Sequence, residues 1–184
     1  MSFSSKVKEE LSRQWSPARH CQIAETAAVL SLCGRVKISA SDHYAIEIHT
    51  ENLAVARKYF TLLKKTLDSY GEIAEDLSLI HNVVVQNVCC KRAFIRGAFL
   101  SAGSISDPEK FYHFEITCAS MRKAKQLQGL MASFDIEARI VLRKRYFVVY
   151  VKEGSQIAEL LQIMEAPVAL MELENIRIVK EMRN

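Results

Sequence analysis

Hydrophobic and polar residues change period several times along the chain, and each change marks an element. Phe3, Val7 and Leu11 recur every fourth residue. That spacing places them on one side of a short amphipathic helix over Ser4–Gln14, closed by Pro17. Gln22–Leu32 is apolar almost all round and rich in small residues (Ala24, Ala27, Ala28, Ser31), and Gly34 follows where a helix stop belongs. Alternation then takes over. Val36–Ala40 and Tyr44–His49 flank the polar Ser41-Asp42-His43, a pattern that predicts a β-hairpin. Glu51–Tyr70 returns to helical period through Leu53, Ala56, Tyr59, Phe60, Leu63 and Leu67 and stops at Gly71. Glu72–Leu79 and Val83–Val88 read as a second hairpin.

The pattern then starts again. Cys90–Ala102 is helical and ends at Gly103. Strands are predicted near Ser104–Ser106 and over Phe111–Cys118, and Ser120 can cap a helix running to Phe134. Ile136–Arg143 and Tyr146–Val151 form a hairpin with a basic turn, Gly154–Met164 is the last helix of this half, and Pro167 ends the segment. Ala169–Asn184 reads as a charged helix, with Leu170, Leu173, Ile176 and Val179 or Met182 broadly on one side. The expected class is α+β: two pseudo-symmetric αββαββα repeats with antiparallel sheets and two central helices. The division that follows is a helical segment over 1–20, a first half over 21–88, a second half over 89–166 and a final helix over 167–184. That last helix is expected to lead into a further domain outside these residues.

The two central helices share a register of small residues. Counted back from Gly34 and Gly103, Ala24 matches Ala93 and Ala28 matches Gly97, with Ser31 and Ser101 near the ends. Small residues four apart form a flat strip on one helix face. Two such strips let helix backbones approach closer than the usual 8–10 Å or so between axes. The expected interface therefore comprises Ala24, Ala28, Ser31 and Gly34 with Ala93, Gly97, Ser101 and Gly103.

This doubled strip resembles the LAGLIDADG motif of homing endonucleases. The stretch Cys90-Lys-Arg-Ala-Phe-Ile-Arg-Gly-Ala-Phe-Leu-Ser-Ala-Gly-Ser-Ile-Ser-Asp-Pro-Glu-Lys110 is similar to the signature of the bacterial WhiA regulators. Tyr112–Cys118, Lys144–Gly154 and Leu173–Asn184 agree with it. The resemblance implies a fold in which two curved sheets form a saddle. It also implies a C-terminal helix-turn-helix domain that binds promoter DNA, and a role in sporulation or in cell division and chromosome segregation.

LAGLIDADG nucleases carry an acid immediately before the final glycine of each motif, and the pair holds divalent metal. Here those positions are Cys33 and Ala102, and other acidic positions have become Ser31 and Leu100. Ala102 offers no ligand, and a thiol is poorly matched to Mg²⁺. Asp42 and Asp107 lie nearby but in turn contexts. The expectation is a non-enzyme. An active endonuclease is the disfavoured alternative, and a protein- or ligand-sensing scaffold is the second.

Charge adds a little. The chain has 184 residues and a net charge of +4, a mild excess compatible with nucleic acid. Arg35 and Lys37 in the first half, and Arg139, Arg143, Lys144 and Arg145 in the second, are candidate DNA contacts. Glu47, Glu72, Glu75 and Asp76 oppose phosphate in the first half. Arg122, Lys123 and Lys125 make a further basic run at a helix start.

No signal peptide or transmembrane stretch is evident, so a cytoplasmic, nucleoid-associated monomer is expected, with DNA and a regulatory protein as partners. The five cysteines form no C-x-x-C pair. Only His20-Cys21 and Cys89-Cys90 come near zinc-ligand spacing, and they are read as buried free thiols. No metal and no cofactor are expected.

Overall fold

The structure is a computed structural model that describes residues 1–38, 44–67 and 87–184. It divides into two compact units, Trp15–Ser101 and Met1–Gln14 together with Ala102–Asn184.

In the first unit, α2 (Arg19–Cys33) runs into β1 (Gly34–Ile38), which pairs antiparallel with β2 (Tyr44–Ile48). Helices α3 (Leu53–Leu67) and α4 (Val88–Ala102) follow. Asn52 starts α3 by accepting from the amides of Ala54 and Val55 at 3.0 and 3.2 Å. The expected Ser41–His43 turn and the hairpin over 72–83 lie outside the described residues. Val88, taken from sequence as the end of a strand, instead opens α4. Gly34 and Gly103 each begin a strand directly after a helix, and no glycine among the described residues has a positive φ. Both helices thus stop directly before their glycines, where the sequence places the stop, and the chain passes straight into a strand.

The second unit begins with α1 (Phe3–Ser12), whose N-terminus is capped by Ser2 accepting from the Ser5 amide at 3.1 Å. Its sheet has the order β3 (Gly103–Ile105), β4 (Phe114–Cys118), β6 (Tyr146–Val151), β5 (Arg139–Arg143), all antiparallel. Helix α5 (Met121–Ala132) is capped by Ser120 and packs on β4, β5 and β6; α6 (Gly154–Met164) and α7 (Pro167–Arg183) complete the unit. Ile105, Phe114, Ile116, Cys118, Val149 and Val151 are buried, as are Ala124, Leu127, Leu130 and Met131 of α5. Burying such side chains contributes about 1.5–3 kcal/mol each for the larger ones.

Pro167 closes one segment and opens the next helix, where its missing amide costs nothing. Residue Ala166 supplies no cap there. Glu10 of α1 does so from a distance, its carboxylate accepting from the amides of Val168 and Ala169 at 2.8 and 2.9 Å. Along α7 only Ala169 and Leu173 are buried; Val179 and Met182, expected on the packed side, are exposed. Between them Lys180 still reaches the body of the unit, donating to the Pro108 carbonyl and lying over the Tyr112 ring.

Candidate functional site

The four-residue spacing of small side chains determines how α2 meets α4. A Cβ placed on Gly97 would lie 2.6 Å from the Glu25 carbonyl oxygen and 3.1 Å from Ala28 Cβ. Only glycine fits at that approach. Cys21, Ala24, Cys90 and Ala93 form one buried cluster farther toward the helix starts. Ser31 and Ser101 are half-buried, and Ser101 Oγ donates to the Gly97 carbonyl at 2.7 Å. Tyr59 of α3 is buried with its hydroxyl 3.3 Å from Ser101 Oγ, and burial holds that phenol protonated well above its usual range.

Sequence reasoning missed the charges inside this seam. Glu25 of α2 is 1% exposed, yet it carries a carboxylate. Lys58 Nζ of α3 lies 2.6 Å from its Oε1, and Arg96 Nε of α4 lies 3.5 Å from its Oε2. Arg96 also donates to Ser16 Oγ at 2.6 Å. Helical period marked the apolar faces, and Lys58 sits within one of them (Val55, Tyr59 and Leu62 are buried around it). A charge on an otherwise apolar face was the available signal.

At their other ends the two helices finish on Cys33 and Ala102. Both are half-buried, and Cys33 Sγ donates to the Val29 carbonyl at 3.3 Å. Asp107 is a turn aspartate, its carboxylate accepting from the Glu109 amide at 3.0 Å.

The second candidate surface is the face of the β3–β6 sheet that carries Glu115, Thr117, Val148, Tyr150, Arg139 and Arg143. Register sets Glu115 opposite Tyr150 and Tyr150 opposite Arg139. Arg143 donates through both terminal nitrogens to Glu115, each at 3.0 Å, and His113 Nε2 lies 3.0 Å from Glu115 Oε2. The pairing runs diagonally across the row of Val148, which is buried. Partial burial pushes the Glu115 carboxyl up, but the hydrogen bonds and charges of Arg143 and His113 outweigh it and hold the group below its ordinary range. His113 stacks on Tyr150 with ring centroids 5.9 Å apart.

Of the expected DNA contacts, Arg143 is thus committed to Glu115, whereas Arg139, Lys144 and Arg145 are exposed. Lys144 sits in the two-residue turn between β5 and β6 with φ of 57°, a conformation that favours glycine or asparagine. Arg145 lies over the Tyr146 ring at 5.5 Å. In the other unit, β1 places Arg35 opposite Glu47 of β2 and Lys37 opposite Ala45. Glu72, Glu75 and Asp76 lie outside the described residues. Arg122 and Lys125 at the start of α5 are exposed.

The cysteines near ligand spacing read from sequence as buried free thiols, and all five cysteines are free. Cys21, Cys90 and Cys118 are buried, but Cys89 is exposed and Cys33 half-buried. Nor are they all scattered: His20 Nδ1 lies 3.1 Å from Cys90 Sγ, 3.4 Å from Cys21 Sγ and 3.8 Å from Cys89 Sγ. Burial and the neighbouring thiols push Cys21 up to about 12, and burial also raises Cys90. Burial alone pushes Cys118 up to about 11, against the nearby charge of Lys123.

Comparison with known proteins places this geometry. The family described as the WhiA LAGLIDADG-like domain matches residues 91–183, and that described as the WhiA N-terminal LAGLIDADG-like domain matches residues 19–76. A relative named probable cell division protein WhiA, from Lachnoclostridium phytofermentans, is 50% identical over all of this chain and 71% of its own length. Another of the same name, from Alkaliphilus oremlandii, is 39% identical over all of this chain and 70% of its own length. The crystal structure of full-length DUF199/WhiA from Thermatoga maritima superposes with a TM-score of 0.82 at 21% identity, covering 98% of this chain and 67% of that one. The homing endonuclease I-DmoI superposes at 0.60 with 11% identity, covering 80% of this chain and 97% of that one, a likeness of fold. The chain is a mixed α/β protein with the LAGLIDADG-type fold, and it belongs to the WhiA family.

Proposed function

We propose that the chain is a non-catalytic domain of a DNA-binding transcriptional regulator that serves cell division, with chromosome segregation or sporulation as the process it controls. What carries the reading is the pair Cys33 and Ala102 at the ends of the helices, where related nucleases need acids. Relatives named for cell division support the process. The helix-turn-helix domain implied by the resemblance supplies most of the DNA affinity. This domain adds weaker contact through Arg139, Lys144 and Arg145, or offers its surface to a regulatory protein.

Two measurements test it. Plasmid incubated with the chain and Mg²⁺ or Mn²⁺ stays supercoiled; metal-dependent nicking overturns the non-catalytic reading. In filter binding at about 50 mM salt the chain retains duplex DNA weakly, and retention falls steeply as salt rises. Replacing Arg139, Lys144 and Arg145 with glutamine lowers the slope of log affinity on log salt by roughly two to three. An unchanged slope removes the hairpin from DNA contact.

A further inference from the structure

The starts of α2 and α4 bring together a set of side chains that the proposed function does not use. His20 and Cys21 occupy the first turn of α2, and Cys89 and Cys90 occupy the first turn of α4. Their four ligand atoms all lie within 4.8 Å of one another. Tetrahedral zinc has bonds of about 2.3 Å to sulfur and about 2.0–2.1 Å to imidazole nitrogen, which sets ligand atoms roughly 3.5–4 Å apart. Of the distances from His20 Nδ1 to the three sulfurs, 3.1, 3.4 and 3.8 Å, the longest lies in that range and the other two are shorter by a few tenths of an ångström.

The placement is not a chance meeting of cysteines. His20 and Cys89 are 69 positions apart, as are Cys21 and Cys90. Ala24 and Ala93, Ala28 and Gly97, and the glycines at 34 and 103 keep the same interval. Each repeat therefore contributes one ligand dipeptide from the same point of its central helix. Within each pair one residue is buried (Cys21, Cys90) and one is exposed (His20, Cys89). The buried members hold the site in the seam, and the exposed members leave a path from solvent.

We propose that His20 Nδ1 and the thiolates of Cys21, Cys89 and Cys90 bind one Zn²⁺ tetrahedrally, tying the starts of α2 and α4 together. On binding, the three thiols release their protons to solvent and the metal takes their electron pairs. Three thiolates and a neutral imidazole around Zn²⁺ leave one net negative charge. Both helix N-termini present their positive ends to it, and Arg19, Lys91 and Arg92 are adjacent in sequence. The soft donors select Zn²⁺ over Mg²⁺ and Ca²⁺.

The test uses the whole chain, purified under reducing, anaerobic conditions. Elemental analysis is expected to find about one zinc per chain, retained against excess Mg²⁺. Cobalt(II) replacing zinc is expected to give intense tetrahedral d–d bands and a thiolate-to-cobalt charge-transfer band. Cys90→Ser is expected to abolish stoichiometric uptake. Because Cys90 is buried, Cys89→Ser, at an exposed position, provides the independent check: the charge-transfer band weakens and cobalt is lost to a competing chelator more readily. Cys118→Ser, at a buried position outside the group, is expected to leave the cobalt spectrum unchanged. Reduced chain that takes up neither metal overturns the site. So does Cys89→Ser binding cobalt as the parent does, or an isolated chain in which two of the three cysteines are found joined as a disulfide.

Discussion

Two carboxylates in this molecule are each clasped by two basic side chains, and solvent makes them different devices. Glu25 meets Lys58 and Arg96 inside the α2–α4 seam, all three at most 2% exposed. Glu115 meets Arg143 and His113 on an open sheet, with the Arg143 side chain 56% exposed. Inside the seam, removing one member leaves charge with no water to receive it. On the sheet, water takes over at once. The same pairing therefore locks helices in one place and shapes a surface in the other.

The contrast can be broken most forcefully at Glu25. Glu25→Ala leaves Lys58 and Arg96 beside each other in a dry seam, and a loss of about 3–5 kcal/mol in urea unfolding is expected. A loss no larger than that of a surface variant would show that water reaches the seam. Gly97→Ala comes next. Its Cβ would press on the Glu25 carbonyl at 2.6 Å. The strain outweighs the helix preference for alanine, for a net loss of about 1–2 kcal/mol. A stabilised variant would mean that the helices slide apart freely.

Glu115→Gln is expected to cost no more than about 1 kcal/mol. Its pH behaviour sharpens the comparison. The folded Glu115 carboxyl titrates below its ordinary range. Its stabilisation is therefore complete above the ordinary carboxylate pKa and is lost as pH falls through the lower, folded value. The difference in thermal midpoint between parent and Glu115→Gln should shrink with acid over that window; a constant difference would show that the pair contributes nothing through charge. Smallest of all is Arg139→Gln, which stability measurements should barely register and which only salt-dependent DNA retention should detect.

These regions were not equally readable from the chain. The seam could be anticipated because small residues repeat at one interval in both halves, and periodicity survives in a sequence. The strands of the second sheet were placed within a few residues because alternation is local. The Glu25 group was hidden because its members come from three helices, and Lys58 reads like any other charged residue of α3. Arg143 looked like one more cation in a basic turn until the register brought Glu115 within its reach. The His20-Cys21 and Cys89-Cys90 pairs stood out in the sequence but read as free thiols, because adjacent residues on two separate helices replace the usual ligands a turn apart on one. The interval of 69 that aligned Ala24 with Ala93 also aligned those ligands. Reading polar and sulfur residues by that interval, and not only small ones, would have matched one pair to the other.

The Glu10 carboxylate, which serves the amides of Val168 and Ala169, spans 158 residues of chain. During synthesis α1 leaves the ribosome long before α7 exists. At the roughly 5–20 residues per second of translation, its acid waits on the order of ten seconds for the helix it will complete. Closure of the Met1–Gln14 and Ala102–Asn184 unit thereby waits until α7 has been made.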